Sequence, residues 1–196
     1  MSNLSPQIIL ASTSAYRRGL LERLRIPFDV IAPRVDETPL AGETPQTLAS
    51  RLALAKANAV AQDHLDSVVI GSDQVANLRG ECLGKPGTHE NAFRQLQRLR
   101  AQEVFFETAV AVICLKKNFQ AQELVRIRVQ FRDLTDDEIE GYLIAEKPYD
   151  CAGSAKSEGL GISLLDVIES NDPTALIGLP LIATSRMLRQ AGVKLF

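Results

Sequence analysis

The chain has 196 residues, 45% of them hydrophobic, and carries a formal net charge of −2 at pH 7. A chain of this length can bury a sizeable core in one domain or two small lobes, and we expect a single domain over residues 1–196. The near-neutral charge argues against a nucleic acid polymer as partner, because duplex-binding proteins usually present strongly basic surfaces. Any phosphate site must therefore be a local cluster of basic residues.

The N-terminal stretch MSNLSPQ lacks a basic region followed by a long hydrophobic run, so we expect no signal peptide. No hydrophobic stretch approaches the roughly 20 residues that a membrane-spanning helix needs. The three cysteines are far apart and form no CxxC motif, which favours reduced thiols. Together these features predict a cytoplasmic protein that has no membrane partner.

Hydrophobic periodicity predicts strands that alternate with helices. Strands are predicted at 7–11, 28–32, 67–70, 103–115, 124–131 and 162–168, and the pattern at 75–78 is compatible with an extension of the third. Helices are predicted after Ser14 as N-cap, from Thr44 and Pro45 to about residue 63, at 89–100, from Thr135 to before Pro148, and from near Pro180 to before Gly192. The strand at 124–131 alternates hydrophobic and polar residues, which is typical of an antiparallel strand with one solvated face. The sequence therefore predicts an α/β fold with a mixed twisted sheet flanked by helices.

Polar residues follow the predicted strands, and α/β proteins bind ligands beyond the carboxyl ends of strands. These residues are Ser12, Ser14, Arg17 and Arg18 after the first strand, Asp36 and Glu37 after the second, Asp73 and Gln74 after the third, and Lys85 on the loop beyond. No GxxxxGK[ST] or GxGxxG motif is present, so neither a P-loop nor a Rossmann nucleotide site is supported.

Arg17 and Arg18 are unexpected in the first turn of a helix. The helix start carries partial positive charge, and a cation there is disfavoured by roughly 0.3–1 kcal/mol. A bound anion at this position would compensate for that cost.

Asp73 has two interpretations. An aspartate after Gly71 and Ser72 could simply cap a turn. Together with Glu37 and a phosphate, it could instead hold Mg²⁺ or Mn²⁺, which prefer oxygen ligands. One of the two carboxylates could alternatively act as a base for water.

Lys56 interrupts a hydrophobic row formed by Leu48, Leu52 and Val60. Its ammonium could reach the helix edge and solvent, or it could point into a cleft that borders the row. Lys85 precedes Pro86, and lysines before prolines are common in surface loops, so this residue is weaker evidence alone.

Several motifs in one order resemble the Maf family of nucleoside triphosphate pyrophosphatases. They are LASTSAYRRGLL, VDETP, RLALAKA, IGSDQV, GKP, CAGSAKSEGLG and IGLPL, and they span nearly the whole chain. The resemblance implies an inosine-triphosphatase-like fold with a deep cleft between two lobes, often found as a homodimer. It also implies a divalent metal cofactor (Mg, Mn or Co) and hydrolysis of a nucleotide to its monophosphate and pyrophosphate. Ala15 departs from the family's usual proline, which would only stiffen the helix start.

The resemblance assigns roles to the candidate residues. Asp73 would be the catalytic carboxylate that activates water and, with Glu37, would hold the metal. The phosphates would be bound by Arg17, Arg18, Lys56 and Lys85, with Ser12 assisting. A triphosphate would thus supply the negative charge expected at the helix start.

Three further positions point to the nucleotide base. Members of the family that act on pyrimidine nucleotides typically have Arg, Thr and Gln where this chain has Tyr16, Gln74 and Glu158. The present trio resembles the branch that acts on 7-methyl-GTP. Methylation makes that guanine ring cationic, so the Tyr16 face would attract it by roughly 0.5–2 kcal/mol, and the Glu158 carboxylate could accept hydrogen bonds from its N–H groups. Alternatively, Tyr16 merely packs and Glu158 is solvated.

Two other functions remain open at this point. One is a pyrophosphatase for other nucleotides such as UTP, dTTP or GTP. The other is a non-catalytic nucleotide-binding regulator of cell division, which would need the cations but not the carboxylates.

Overall fold

The computed structural model describes residues 6–196. The expectation about a signal peptide falls mainly on residues 1–5, which lie outside the described residues. The strands within 6–196 are β1 (Ile8–Ala11), β2 (Asp29–Ile31), β3 (Val68–Leu78), β4 (Glu81–Leu83), β5 (Glu103–Cys114), β6 (Phe119–Phe131) and β7 (Leu165–Glu169). The α-helices there are α1 (Ala15–Glu22), α2 (Pro45–Ala61), α3 (His89–Leu99), α4 (Asp136–Glu146) and α5 (Leu181–Gln190).

The strands form one mixed sheet in the order β2-β1-β3-β5-β6-β7, and β4 pairs with β3. Strand β1 runs parallel to both of its neighbours. The remaining pairs are antiparallel. The predicted α/β class with a mixed sheet is confirmed. None of the helices in the described part of the chain is long and hydrophobic enough to cross a bilayer.

The helix starts confirm the predicted caps. The Ser14 side chain accepts a hydrogen bond from the Arg17 backbone N–H at the start of α1. Thr44 caps α2 in a reciprocal pair with Thr47, and Thr135 caps α4 in the same way with Glu138. These bonds satisfy N–H groups that have no partner within the helix.

Hydrophobic residues form three clusters around the sheet. The first places α2 against β1, β3 and β5 on one face, largely through alanines. The second places α1 and α5 on the other face of the same strands. The third gathers α3 and α4 with the far ends of β3, β5 and β6. Strands β3 and β5 contribute residues to all three clusters and are therefore packed along their length.

The structure corrects the placement of Asp73. The sequence suggested a short strand followed by polar residues, whereas β3 continues through them to Leu78. Parallel pairing with β1 ends at Gly71, and pairing with β5 carries β3 onward through Asp73. A carboxylate can occupy a strand interior here because a lysine pairs with it, as described below.

Two smaller differences concern the ends of the sheet. The predicted strand at 162–168 begins later, because a 3-10 turn occupies Leu160–Leu164. Strand β4 was not predicted, since its three residues carry no detectable period.

Gly71 allows α2 to approach β3 closely. A Cβ atom at this position would lie 2.2 Å from the Ala53 carbonyl oxygen and 2.6 Å from the Ala57 nitrogen. These are backbone atoms of a packed helix and cannot move independently of it.

We predict that Gly71→Ala destabilises the fold by about 1–3 kcal/mol or more, because the added methyl group overpacks the α2–β3 contact. The matched control is Gly141→Ala in α4, where no atom lies within 4 Å of the new Cβ and where alanine should stabilise the helix by about 0.5–1 kcal/mol. Urea unfolding measures both. Equal stability of Gly71→Ala and the unmodified protein would contradict the close packing.

Candidate active site

A cavity of about 640 Å³ opens beside the end of β1. Its walls come from the β1–α1 loop, α2, β3, the loop after β4, and the segments around residues 150–158 and 176–178. The predicted site residues that line it are Ser12, Ser14, Tyr16, Arg17, Glu37, Lys56, Asp73, Gln74, Lys85 and Glu158. The structure therefore brings together residues that are more than 140 positions apart in the sequence.

Lys56 lies at the centre of the charged part of this cavity. Its Nζ atom is 2.7 Å from Asp73 Oδ1 and 2.8 Å from Glu37 Oε1. Lys56 is only 5% exposed and Asp73 only 7%. Burying one of these charges alone would be costly, and the opposite charges compensate for each other. The lysine thus reaches into the cleft rather than past the helix edge to solvent.

Arg17 lies beside this cluster and is half-buried. Its Nε atom donates a hydrogen bond of 2.9 Å to the Gly178 carbonyl oxygen. Desolvation lowers the pKa of the Arg17 guanidinium, and the carboxylates of Asp73 and Glu37 oppose that shift. Within residues 6–196 the other guanidinium nitrogens make no hydrogen bond, so they remain available to a ligand.

The Gly178 carbonyl is itself held in place, and sequence reasoning missed the residues that hold it. The Ser72 hydroxyl lies 3.0 Å from it and 2.8 Å from the Ala109 carbonyl oxygen, so its single hydrogen is shared between the two. The loop that carries Gly178 is anchored by the buried Asp172, whose carboxylate accepts hydrogen bonds from the backbone N–H groups of Ile182 and Ala183 at 2.8 and 3.2 Å. No local signal in the sequence indicates this role, because Asp172 lies eight residues before Pro180, the N-cap of α5.

Arg18 does not join the cluster, and this expectation is corrected. Its side chain is 64% exposed and pairs with Glu22 one turn along α1 at 3.0 Å. Successive helical residues project about 100° apart, and this rotation turns Arg18 away from the cavity that Tyr16 and Arg17 line. Asp36 also lies outside the cavity lining, and its carboxylate accepts a hydrogen bond from the Thr38 N–H.

Ser12 and Lys85 both line the cavity but differ in their exposure to solvent. Ser12 is buried, and its hydroxyl accepts a hydrogen bond from the Ser14 N–H at 3.1 Å. Lys85 is exposed on the loop after β4, and no carboxylate of residues 6–196 pairs with it. Its ammonium can therefore meet an anionic ligand at the mouth of the cavity.

Tyr16 lies where α1 meets the segment around residues 150–158 in the cavity wall. Its hydroxyl donates a hydrogen bond of 3.2 Å to Asp150 Oδ1, and the Cys151 thiol lies 3.7 Å from the same hydroxyl. Desolvation raises the pKa of the Cys151 thiol to about 12, so this thiol is neutral at neutral pH. All three cysteines are free, in agreement with the expectation of reduced thiols.

The orientation of the Gln74 side chain follows from its neighbours. Its Nε2 atom lies 3.0 Å from the Ala175 carbonyl oxygen and 2.9 Å from that of Leu176. Carbonyl oxygens only accept hydrogen bonds, so this atom must be the amide nitrogen. The amide oxygen of Gln74 is left as the acceptor for a ligand.

The loop that carries Glu158 rests on α4. The Glu146 carboxylate accepts hydrogen bonds from Lys156 Nζ at 2.6 Å and from the Leu160 N–H at 2.7 Å. A Cβ at Gly159 would lie 2.6 Å from this carboxylate, so a larger residue there would shift the Glu146 side chain. Desolvation raises the pKa of Glu158, and the nearby carboxylates of Glu146 and Asp150 add to the shift.

The donor set suits a hard divalent cation only in part. Asp73 and Glu37 offer carboxylate oxygens, which Mg²⁺ and Mn²⁺ prefer. In the described residues no group of three or more His, Cys, Asp and Glu side chains is arranged to hold a metal. Protein side chains would thus supply two ligands, and phosphate oxygens and water would have to supply the rest, as is usual for Mg²⁺.

The sequence profile of the Maf-like protein family matches residues 7–191. The chain belongs to the Maf-like protein family. The match covers every segment that lines the cavity, and it confirms the family resemblance identified from the motifs.

Three relatives of this Maf-like chain have the same name. A protein of Polaromonas sp. strain JS666 is 64% identical over 192 residues, which is 98% of this chain and 88% of that protein. A protein of Albidiferax ferrireducens is 62% identical over 96% of this chain and 94% of its own length. One from Burkholderia thailandensis is 60% identical over 97% and 90%. All three are named 7-methyl-GTP pyrophosphatase.

The solved structures to which the chain shows similarity are more distant in sequence. The structure of a HAM1 protein from Coxiella burnetii is 17% identical to this chain and covers 66% of it and 74% of its own chain, with a TM-score of 0.49. The Ham1 protein of Staphylococcus aureus gives a TM-score of 0.46 at 18% identity, covering 65% and 72%.

We predict that Asp172→Ala destabilises the protein by about 1–3 kcal/mol, because two N–H groups at the start of α5, one of them buried, lose their acceptor. The control is Asp166→Ala, which removes an exposed aspartate from β7. Thermal unfolding of the two variants provides the comparison. If both shift the melting temperature equally, Asp172 is not the anchor of the Gly178 loop.

Proposed function

We propose that this Maf-like protein is a nucleoside triphosphate pyrophosphatase that hydrolyses 7-methyl-GTP to 7-methyl-GMP and pyrophosphate. The observation that carries the proposal is the single cavity in which Arg17, Lys56 and Lys85 face Asp73 and Glu37. Family membership and the names of relatives at 60–64% identity support the same activity.

The cationic residues would bind the triphosphate. Arg17 has free guanidinium nitrogens and Lys85 a free ammonium, and both can neutralise charge on phosphate oxygens. Lys56 already contacts two carboxylates, so it would bridge them to the phosphates. Ser12 and the N–H groups at the start of α1 add neutral donors at this end. Arg18 has no part in this proposal, because it points to solvent.

Asp73 is the proposed base. A buried carboxylate within the phosphate end can take a proton from water as the oxygen attacks the α-phosphorus in line, and pyrophosphate then leaves. Lys56 holds the Asp73 carboxylate in position at 2.7 Å. The positive side chains stabilise the charge that develops on the leaving pyrophosphate.

We propose Mg²⁺, Mn²⁺ or Co²⁺ as the cofactor. Asp73 and Glu37 would hold the ion, and the substrate phosphates would complete its coordination. When bound, such an ion polarises phosphoryl oxygens and lowers the pKa of water. Lys56 would then have to share both carboxylates with the ion.

The base-reading residues would be Tyr16, Gln74 and Glu158. Tyr16 offers an aromatic face to a cationic ring. Gln74 offers an amide oxygen whose position is fixed by backbone carbonyls. The Glu158 carboxylate can accept hydrogen bonds from the N–H groups of guanine.

The assembly and location are also proposals. We propose that residues 1–196 form one domain, that two copies associate as a homodimer, and that the protein acts in the cytoplasm on a small-molecule substrate. Sedimentation of the purified protein tests the dimer, and a monomer at micromolar concentration would contradict it.

The first functional prediction concerns the reaction and Asp73. With a divalent metal present, 7-methyl-GTP should release pyrophosphate rather than orthophosphate, and faster than GTP, UTP or dTTP. Asp73→Asn should lower kcat by about 10²–10⁴-fold through loss of the base. Asp63→Asn, which changes an exposed aspartate after α2, is the control. Pyrophosphate-specific detection gives the rates.

Three results would contradict this prediction. Orthophosphate as the first product would show cleavage between the β- and γ-phosphates instead of between the α- and β-phosphates. Normal turnover by Asp73→Asn would remove Asp73 from the chemistry. In water enriched in ¹⁸O, label in pyrophosphate instead of 7-methyl-GMP would show attack away from the α-phosphorus.

The second functional prediction uses the two neighbouring arginines. Arg17→Gln should lower kcat/KM by about 10- to 100-fold, as expected for loss of a charge-assisted hydrogen bond of roughly 1.5–3 kcal/mol. Arg18→Gln loses only a surface ion pair and should stay within about twofold. Steady-state kinetics of the pair separates them, and similar losses in both variants would refute the assignment of Arg17.

A further inference from the structure

The base end of the cavity contains a carboxylate that the proposed function does not use. Asp150 lines the cavity and accepts a hydrogen bond from the Tyr16 hydroxyl at 3.2 Å. Its other side-chain contact is the neutral Cys151 thiol, 3.6 Å away. No lysine, arginine or histidine of residues 6–196 pairs with Asp150, so its charge is not compensated by the protein.

The charged residues of the cavity lining fall into two groups, one around Lys56 at the phosphate end and one around Tyr16 at the base end. At the phosphate end Arg17, Lys56 and Lys85 outnumber Asp73 and Glu37. At the base end two carboxylates, Asp150 and Glu158, have no cationic partner within residues 6–196. The nearby Lys156 offsets only part of this charge, because Glu146 also pairs with its ammonium at 2.6 Å and adds a third carboxylate. The group around Lys56 is therefore net positive, and the group around Tyr16 is net negative.

We infer that Asp150 is a specificity-determining residue that selects nucleotides with a cationic base over nucleotides with a neutral one. The inference rests on the proposed function, since it deepens the substrate choice at the same site. A 7-methylated purine nucleotide has a positive ring and a negative phosphate tail, and that charge distribution matches the two ends of the cavity.

Asp150 acts in two ways. Its negative charge attracts a cationic ring directly and leaves a neutral ring almost unaffected. By accepting the Tyr16 hydrogen bond, it also fixes the phenol and increases electron density in the ring, which strengthens attraction of a cation to the ring face. A cation already lies near this face, since Lys156 Nζ is 6.0 Å from the Tyr16 ring centroid.

Binding of the reaction products tests the inference without depending on turnover. Calorimetry with 7-methyl-GMP and with GMP gives the ratio of the two dissociation constants. The unmodified protein should favour 7-methyl-GMP. Asp150→Asn keeps a hydrogen-bond acceptor but removes the charge, and it should reduce this preference by about tenfold while GMP affinity stays within about twofold.

Two further variants sharpen the test. Tyr16→Phe keeps the ring but loses the hydroxyl, so it should reduce the preference by a smaller factor of about threefold. Asp137→Asn in α4 changes an exposed aspartate outside the cavity and should leave the ratio unchanged.

The outcomes separate this inference from the proposed function. If Asp150→Asn weakens both ligands equally or leaves the ratio intact, or if the unmodified protein shows no preference, the inference is wrong. If the preference falls as expected but no pyrophosphate is released from any triphosphate, Asp150 selects the base and the proposed hydrolysis is wrong.

Discussion

The central interaction of this molecule is a buried ammonium held between two carboxylates. Lys56 comes from α2, Asp73 from the interior of β3, and Glu37 from the loop after β2. Lys56 and Asp73 permit each other to be buried, because an isolated ion in this environment would lose its hydration without compensation, while the Glu37 side chain stays 58% exposed. The cluster fixes how the helix, the strand and the loop meet, and it places reactive oxygens at the floor of the cavity.

The structure around the cluster explains how these charged side chains are held close together. Gly71 lies two residues before Asp73 and lets α2 approach until Lys56 reaches the carboxylate. On the opposite wall, Ser72 and the Asp172 anchor hold the Gly178 carbonyl that orients Arg17. Alternate residues of one strand thus serve opposite faces of the sheet, as the pleat requires.

Much of this arrangement could be predicted from the sequence because local signals were strong. The capping residues, the proline at the start of α2 and the alternating pattern of β6 all correspond to structure. The prediction was less accurate where long-range contacts determine the secondary structure. The extension of β3 through Asp73 depends on pairing with β5 and on Lys56, which local periodicity cannot reveal.

The same difference between local signals and long-range contacts applies to the candidate site. Polar residues after strands indicated the right region, and the lysine in a hydrophobic row indicated the cleft. Because Arg18 follows Arg17 in the sequence, it is expected beside Arg17 in the site, but the rotation of the helix turns it towards Glu22. Asp150, Ser72 and Asp172 went unnoticed, since each acquires its role from a partner more than 9 positions away or from a backbone group that folding supplies.

The most direct measurement of the central claim is a crystal structure of the protein with a 7-methyl-GTP analogue whose α–β bridging oxygen is replaced by an imido group. The account predicts the triphosphate within hydrogen-bond distance of Lys56 and Arg17, the α-phosphorus facing Asp73, and the base against Tyr16. A nucleotide bound elsewhere, for example in the second cavity lined by Arg79 and Arg126, or bound with its base beside Lys56, would contradict it.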